Sequence, residues 1–161
     1  MGECIIKWAK TEHLDLIDNL QKQHRNALGF LTTEAILHKI AEQKVLIALR
    51  DSKFLGYAIV GSNMQPNLRL YQLCVEKACR GIGIGSKLMR AVEACAVEGS
   101  ATSVILRSAS DLKVNELWAK RGYTCICVEK GGKTTNRRIN VWKKQVKSEL
   151  FSEIAVKPAK D

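Results

Sequence analysis

Arg80-Gly81-Ile82-Gly83-Ile84-Gly85-Ser86-Lys87 is the segment whose residue types and spacing most plainly offer chemistry. Glycines at alternate positions let a chain approach a bulky anion with no Cβ in the way, and successive unpaired backbone N–H groups form a nest for negative charge. Leu68 to Val75 before the glycines reads as an apolar strand, and Ile84, Leu88, Val92 and Cys95 after them recur at helical spacing. A glycine loop at that junction aims free amides and the positive end of the helix dipole at one point, which suits a diphosphate. Arg80 and Lys87 can add side-chain charge. A Walker loop needs Gly-Lys-Ser or Gly-Lys-Thr, whereas the order here is Gly85-Ser86-Lys87. A dinucleotide fingerprint needs Gly-x-Gly-x-x-Gly in a parallel unit, and here the spacing differs and a hairpin precedes it. The bland alternative, glycines that only make a tight turn, does not call for three in five residues.

The elements that must position this loop are legible along the chain. Cys4 to Trp8 suits a first strand; Leu14, Ile17 and Leu20 carry the stripe of a helix; Thr32 or Thr33 can cap a second helix bearing Ile36, Leu37 and Ile40. Val45 to Leu49 and Phe54 to Val60, joined by Asp51-Ser52-Lys53, make a hairpin of two mostly buried strands. Gly83 to Glu98 forms the helix after the loop, with Gly99 as a left-handed cap. Val104 to Leu106, Asp111 to Arg121, Tyr123 to Val128 and Arg138 to Trp142 add strand, helix, strand and strand. The order β-α-α-β-β-β-α-β-α-β-β describes an α/β (α+β mixed) fold, with helices flanking a central mixed sheet. No linker or repeat divides it, so residues 1–144 form one domain and 145–161 a C-terminal tail.

Composition bounds the rest. No run of about 18 apolar residues is present to span a bilayer, and the N-terminus lacks a signal-peptide core, so a soluble, cytoplasmic protein is expected. The cysteines show no zinc spacing, so no metal is expected, and reduced, mostly buried thiols are the plain reading; Cys125 and Cys127 would share one face of a strand. A formal charge of +10, with much of the excess at Lys130, Lys133, Arg137, Arg138, Lys143, Lys144 and Lys147, makes either a solvated face or a surface for phosphates and acidic partners.

Taken together, these residues resemble the GNAT superfamily of N-acetyltransferases. Its signature of Gln or Arg, two residues, Gly, one residue, then Gly or Ala is met by Arg80-Gly81-Ile82-Gly83-Ile84-Gly85. Leu73-Cys74-Val75 matches the end of the family's central strand, and Asn115 to Tyr123 looks like its second cofactor segment. The resemblance implies a mostly antiparallel sheet and acetyl-coenzyme A as cofactor, with its pyrophosphate on the backbone from Arg80 to Lys87, including Ile84 and Ser86. It further implies a pantetheine arm along Leu73 to Val75, an amide near Cys74 or Val75 on the thioester carbonyl, and contacts from Asn115 and Trp118.

The family's chemistry is direct attack of a primary amine on the thioester, which needs a proton acceptor and often a donor to the leaving thiolate. Two common positions differ here: Trp118 stands where many members place Tyr, and Arg69 where some place Glu. Tyr71 and Tyr123 are the catalytic candidates, with Glu76, His24 or an ordered water behind them. The basic balance favours an amine on an acidic or nucleic-acid-associated partner, such as a protein N-terminus or lysine, over a polyamine. Alternatives from other classes are a non-catalytic coenzyme A sensor and a nucleic-acid module that uses the basic surface. An exposed final strand can pair with a second copy as a homodimer.

Overall fold

Both strands of the central hairpin read as near-continuous apolar runs because both of their faces are covered. In the computed structural model, which describes residues 2–132 and 136–146, β2 (Val45–Arg50) and β3 (Lys53–Val60) sit between two helical layers. One layer is α4 (Ile84–Glu98), whose Leu88, Met89 and Val92 pack on Leu46, Ala48, Leu55 and Ala58. The other is α1 (Leu14–Gln23) and α3 (Thr33–Ala41), whose Ile17, Leu20, Ile36 and Ile40 pack on Val45, Ile47, Tyr57 and Ile59. The hairpin turns through Asp51 (φ 50°) and Ser52 (φ 65°), the paired positive φ values of a turn that matches strand twist.

Around this hairpin, β1 (Ile5–Trp8), β4 (Asn67–Val75), β5 (Ser103–Ala109), β6 (Thr124–Lys130) and β7 (Arg138–Gln145) complete a sheet ordered β1-β2-β3-β4-β5-β7-β6. All neighbours are antiparallel except β4 and β5, which α4 connects in parallel. A one-turn helix α2 (Arg25–Leu28) fills the break after α1, and α5 (Val114–Lys120) is shorter than the expected span. The mixed, mostly antiparallel sheet and the order of elements agree with the expectation from the sequence.

An irregularity in β4 shapes the centre of the sheet. Ile59 pairs with Gln72 and Val60 with Leu70, so Tyr71 is an extra, bulged residue. The bulge changes the strand's phase: Leu68 and Leu70 pack beneath α4, whereas Cys74 joins the core beneath α1 and α3. Pairing of β4 with β5 stops at the same place, at Leu70 opposite Leu106. From Tyr71 to Val75, β4 keeps β3 on one side and leaves its other edge open.

Buried amide side chains tie the helices to this strand. Tyr57 Oη donates to Gln72 Oε1 (2.8 Å), Gln72 Nε2 donates to Gln21 Oε1 (2.9 Å), and Gln21 Nε2 donates to the Leu31 carbonyl (2.9 Å) and to Asp18 Oδ1 (3.2 Å). Leu31 N–H returns a bond to Gln21 Oε1 (2.6 Å), so the connection before α3 hangs on one glutamine of α1.

Local expectations that differ are few. Gly99 has φ −83° and Ser100 carries the left-handed turn at φ 62°; Gly99 instead admits the side chain of Met64. Thr32, rather than Thr33, caps α3, its hydroxyl accepting from Ala35 N–H at 3.1 Å. Cys125 and Cys127 are exposed rather than buried, because β6 is an edge strand with no outer neighbour among the described residues and is exposed along its whole length, with a bulge at Ile126. Lys133, Lys147 and the tail beyond Val146 lie outside the described residues, and Gln145 belongs to β7.

Replacing Gln21 with Leu leaves Leu31 N–H and the Gln72 amide without their acceptor. The expected cost is about 2 kcal/mol, seen as a lower denaturant midpoint at unchanged slope.

Candidate active site

Backbone, not side chains, faces the space where the glycine loop meets α4. Gly81 (φ 83°) and Gly83 (φ 90°) adopt the left-handed conformation, and a Cβ on either would meet nothing within 4 Å, so the cradle is open. Gly83 caps α4 without any side-chain hydrogen bond, and no acidic residue stands in the first turn. Lys87 N–H, bonding the Gly83 carbonyl at 3.1 Å, is the first to find its acceptor along the helix. The amides ahead of it are the orphan donors of a helix start, aimed where the dipole is positive.

The cations expected beside this cradle are committed elsewhere. Arg80 Nε donates to the Val75 carbonyl (3.0 Å) and Nη2 donates to His24 Nε2 (3.3 Å), which buckles the loop onto the end of β4. Because arginine has only donors, that nitrogen of His24 must accept, and burial followed by the Arg80 charge lowers the imidazole's pKa. Lys87 Nζ donates to the Cys4 carbonyl at 3.2 Å.

The open edge of β4 leads into the cradle. Glu76 N–H bonds the Leu55 carbonyl of β3 at 2.8 Å, so strand alternation turns the N–H groups of Leu73 and Val75 away from β3, toward the gap. Cys74 points its amide into the ladder instead, and burial pushes its thiol up to about 11. β3 can lie this close because position 56 is glycine: a Cβ there would come within 2.5 Å of the Cys74 carbonyl oxygen.

Asn115, Trp118 and Tyr123 do not line the gap as expected. Both amide protons of Asn115 are spent, on the carbonyls of Ala109 (2.8 Å) and Leu112 (2.7 Å). Its Oδ1 accepts from Ser108 Oγ (2.5 Å), Trp142 Nε1 (2.9 Å) and Asn140 Nδ2 (3.3 Å). The side chain is a brace between β5, α5 and β7, with no donor left for a ligand. Trp118 is in the core beneath α4, edge-on to Tyr123 with ring centres 5.8 Å apart. Burial, then the Glu93 carboxylate, raises the Tyr123 phenol well above its usual range.

The two catalytic candidates therefore sit on opposite faces of the sheet. Tyr71, at the bulge, is on the α1/α3 face with 40% of its surface exposed. Arg69 lies over its ring at 4.4 Å and Lys39 of α3 at 5.2 Å. Register places Arg69 beside Ile105 and Ile105 opposite Lys143, so these and Arg107 share that face. Glu129 answers one of the charges, at 3.3 Å from Arg107 Nε.

Gln21, Tyr57 and Gln72 escape the sequence reading, although a glutamine in an apolar strand marks a buried polar partner. The buried ion pair of Glu93 with Lys144 (2.6 Å) and the position of Arg121 escape it too, because no local pattern signals either.

A family model for the acetyltransferase (GNAT) domain matches residues 16–153. The chain belongs to this family. Solved structures share the acetyltransferase's fold at low identity. Ard1 from Thermoplasma volcanium is 15% identical with TM-score 0.79, over 89% of this chain and 98% of that one. The ribosomal-protein-S18-alanine N-acetyltransferase from Escherichia coli is 11% identical with TM-score 0.74, over 89% and 94%. The PaiA N-acetyltransferase from Thermoplasma acidophilum, solved in complex with coenzyme A, is 16% identical with TM-score 0.71, over 89% and 99%. A comparison with curated proteins finds no match. Among the described residues no helix is long and apolar enough to cross a membrane.

A thiol at about 11 stays protonated near neutral pH. Iodoacetamide at about pH 7.5 is expected to modify exposed Cys125 and Cys127 and to spare Cys74, with Cys74 gaining reactivity only as pH approaches 11; peptide mass mapping checks this.

Proposed function

We propose that this acetyltransferase moves an acetyl group from acetyl-coenzyme A to a primary amine by direct attack of the amine on the thioester. The observation that carries the reading is the uncapped, glycine-lined start of α4, set at the end of a strand whose edge is open. The residues present fit the cofactor: amides from Gly81 to Ser86 suit its diphosphate, and the N–H groups of Leu73 and Val75 suit an amide-bearing arm laid in the gap. When bound, the cofactor supplies an acetyl group already activated as a thioester.

The chain's own residues do the rest. An N–H on the open edge of β4 can polarise the thioester carbonyl without having to reorganise. Cys74, protonated and turned into the core, takes no acetyl group, which agrees with direct transfer. Tyr71 is the phenol on the exposed face of β4 at the gap, where it can give its proton to the leaving thiolate, directly or through water, while solvent takes the proton of the attacking amine. Tyr123, buried on the other face, serves packing.

Charge on the α1/α3 face selects the acceptor. Lys39, Arg69, Arg107 and Lys143 outnumber Glu129 and Glu42, the latter joined to Lys39 through Ser62, so an amine next to carboxylates or phosphates is drawn in and a polyamine repelled. A protein N-terminus or lysine in acidic surroundings meets that description.

Calorimetric titration of acetyl-coenzyme A into the protein and into Gly83→Glu tests the cradle. The variant is expected to bind about a hundredfold more weakly, a loss of about 2.7 kcal/mol, and the unaltered protein to release thiol faster with acidic peptides than with spermidine. Binding without turnover on any amine would instead identify a coenzyme A sensor. Tyr71→Phe is expected to lower kcat by about a hundredfold with acetyl-coenzyme A affinity unchanged; equal kcat would remove Tyr71 from the chemistry.

A further inference from the structure

The cradle at the start of α4 has lost both cations that flank it in sequence, since Arg80 and Lys87 are anchored to the carbonyls of Val75 and Cys4. A third cation approaches it from across the gap. Arg121, at the junction of α5 and β6, extends its guanidinium toward the first turn of α4: Nη2 lies 3.6 Å from where a Cβ on Gly85 would be, beside a Val75 methyl at 3.8 Å. Absence of a side chain at position 85 leaves that guanidinium alongside the orphan amides.

Nothing within the described residues satisfies it. The guanidinium of Arg121 makes no hydrogen bond or ion pair there, although the group is half-buried. The nearest carboxylate influence, Glu93, is committed to Lys144 at 2.6 Å, and Arg90 adds a second positive charge to the neighbourhood. Burial outweighs the attraction of Glu93 and lowers the guanidinium's pKa, so the free protein holds a partly desolvated cation without a counter-charge. A half-buried arginine in that condition gains most from an anion that can accept two parallel hydrogen bonds.

We propose that Arg121 is a binding residue for the coenzyme A diphosphate, closing over the anion from the β6 side while the amides of the glycine loop hold it from the α4 side. The assignment rests on the acetyltransferase reading and adds to it the one side-chain charge that the cradle otherwise lacks. It also orders the site. The diphosphate would bridge the loop after β4 to the α5–β6 junction, spanning the two halves of the sheet that separate after Leu70.

Calorimetry on the full chain with three probes tests this: coenzyme A, 3′-dephospho-coenzyme A and pantetheine, which lacks the diphosphate. Arg121→Gln is expected to weaken the first two alike, by about tenfold to a hundredfold, and to leave pantetheine binding unchanged. Arg121→Lys should recover part of the loss, since charge is kept and the two-pronged geometry is not. The melting temperature of the ligand-free variants, expected to match that of the unaltered protein, guards against misfolding. Equal coenzyme A affinity in Arg121→Gln overturns the proposal, as does an equal loss for pantetheine, which would mark Arg121 as a support of the fold. A loss confined to coenzyme A, with dephospho-coenzyme A unaffected, also overturns it by moving the contact to the 3′-phosphate. Failure of the unaltered protein to bind any of the three would refute the acetyltransferase reading itself and is thereby distinguishable.

Discussion

The separation of β4 from β5 after Leu70 and Leu106 is the constraint on which the site depends. Two parallel strands that stayed paired would consume the very amides that a ligand needs, and a gap in a sheet interior is costly unless something compensates it. The bulge at Tyr71 creates the divergence by adding one residue to β4 while β3 keeps its ladder. Strand β3 then carries the end of β4 alone, which is possible because Gly56 lets the two backbones meet. On the far side, Asn115 holds β5, α5 and β7 together with both its donors and its acceptor. Each half of the sheet is thus rigid, and the space between them is kept by structure rather than by a ligand.

Electrostatics divides the same region by face. The α4 side offers backbone dipoles and, across the gap, Arg121; the α1/α3 side offers the exposed cations around Tyr71. Anionic groups are favoured on both, but by different means. On the α4 side the donors are fixed and partly buried, so they act at short range and are weakly screened; on the other face flexible side chains act over about a Debye length and lose strength in salt.

Much of this was legible in the sequence, and what was not has physical reasons. The hairpin, the glycine loop and the stripe of α4 announce themselves because local pattern and tertiary role agree. Bulges do not: the extra residue at Tyr71 looks like ordinary alternation, and nothing local marks β6 as an uncovered edge that leaves Cys125 and Cys127 exposed. Asn115 carried the expected residue type in the expected segment, yet its valences were claimed by Ser108, Trp142 and the carbonyls of Ala109 and Leu112, none of them adjacent on the chain. Arg80 and Lys87 misled in the same way, since adjacency to the loop says nothing of which carbonyl a long side chain will reach.

A ligand site made from backbone has a bearing on descent. Amides are present whatever the side chain, so the cradle asks only for a positive φ at two places, a missing neighbour along one strand edge, and room. Substitutions elsewhere in the loop, or throughout the two cores, can accumulate without altering the donors presented. Structures that share this architecture at 11–16% identity are what such latitude would leave behind. The α1/α3 face is made of side chains and enjoys no such insulation, so chains that keep the same backbone donors are free to differ there.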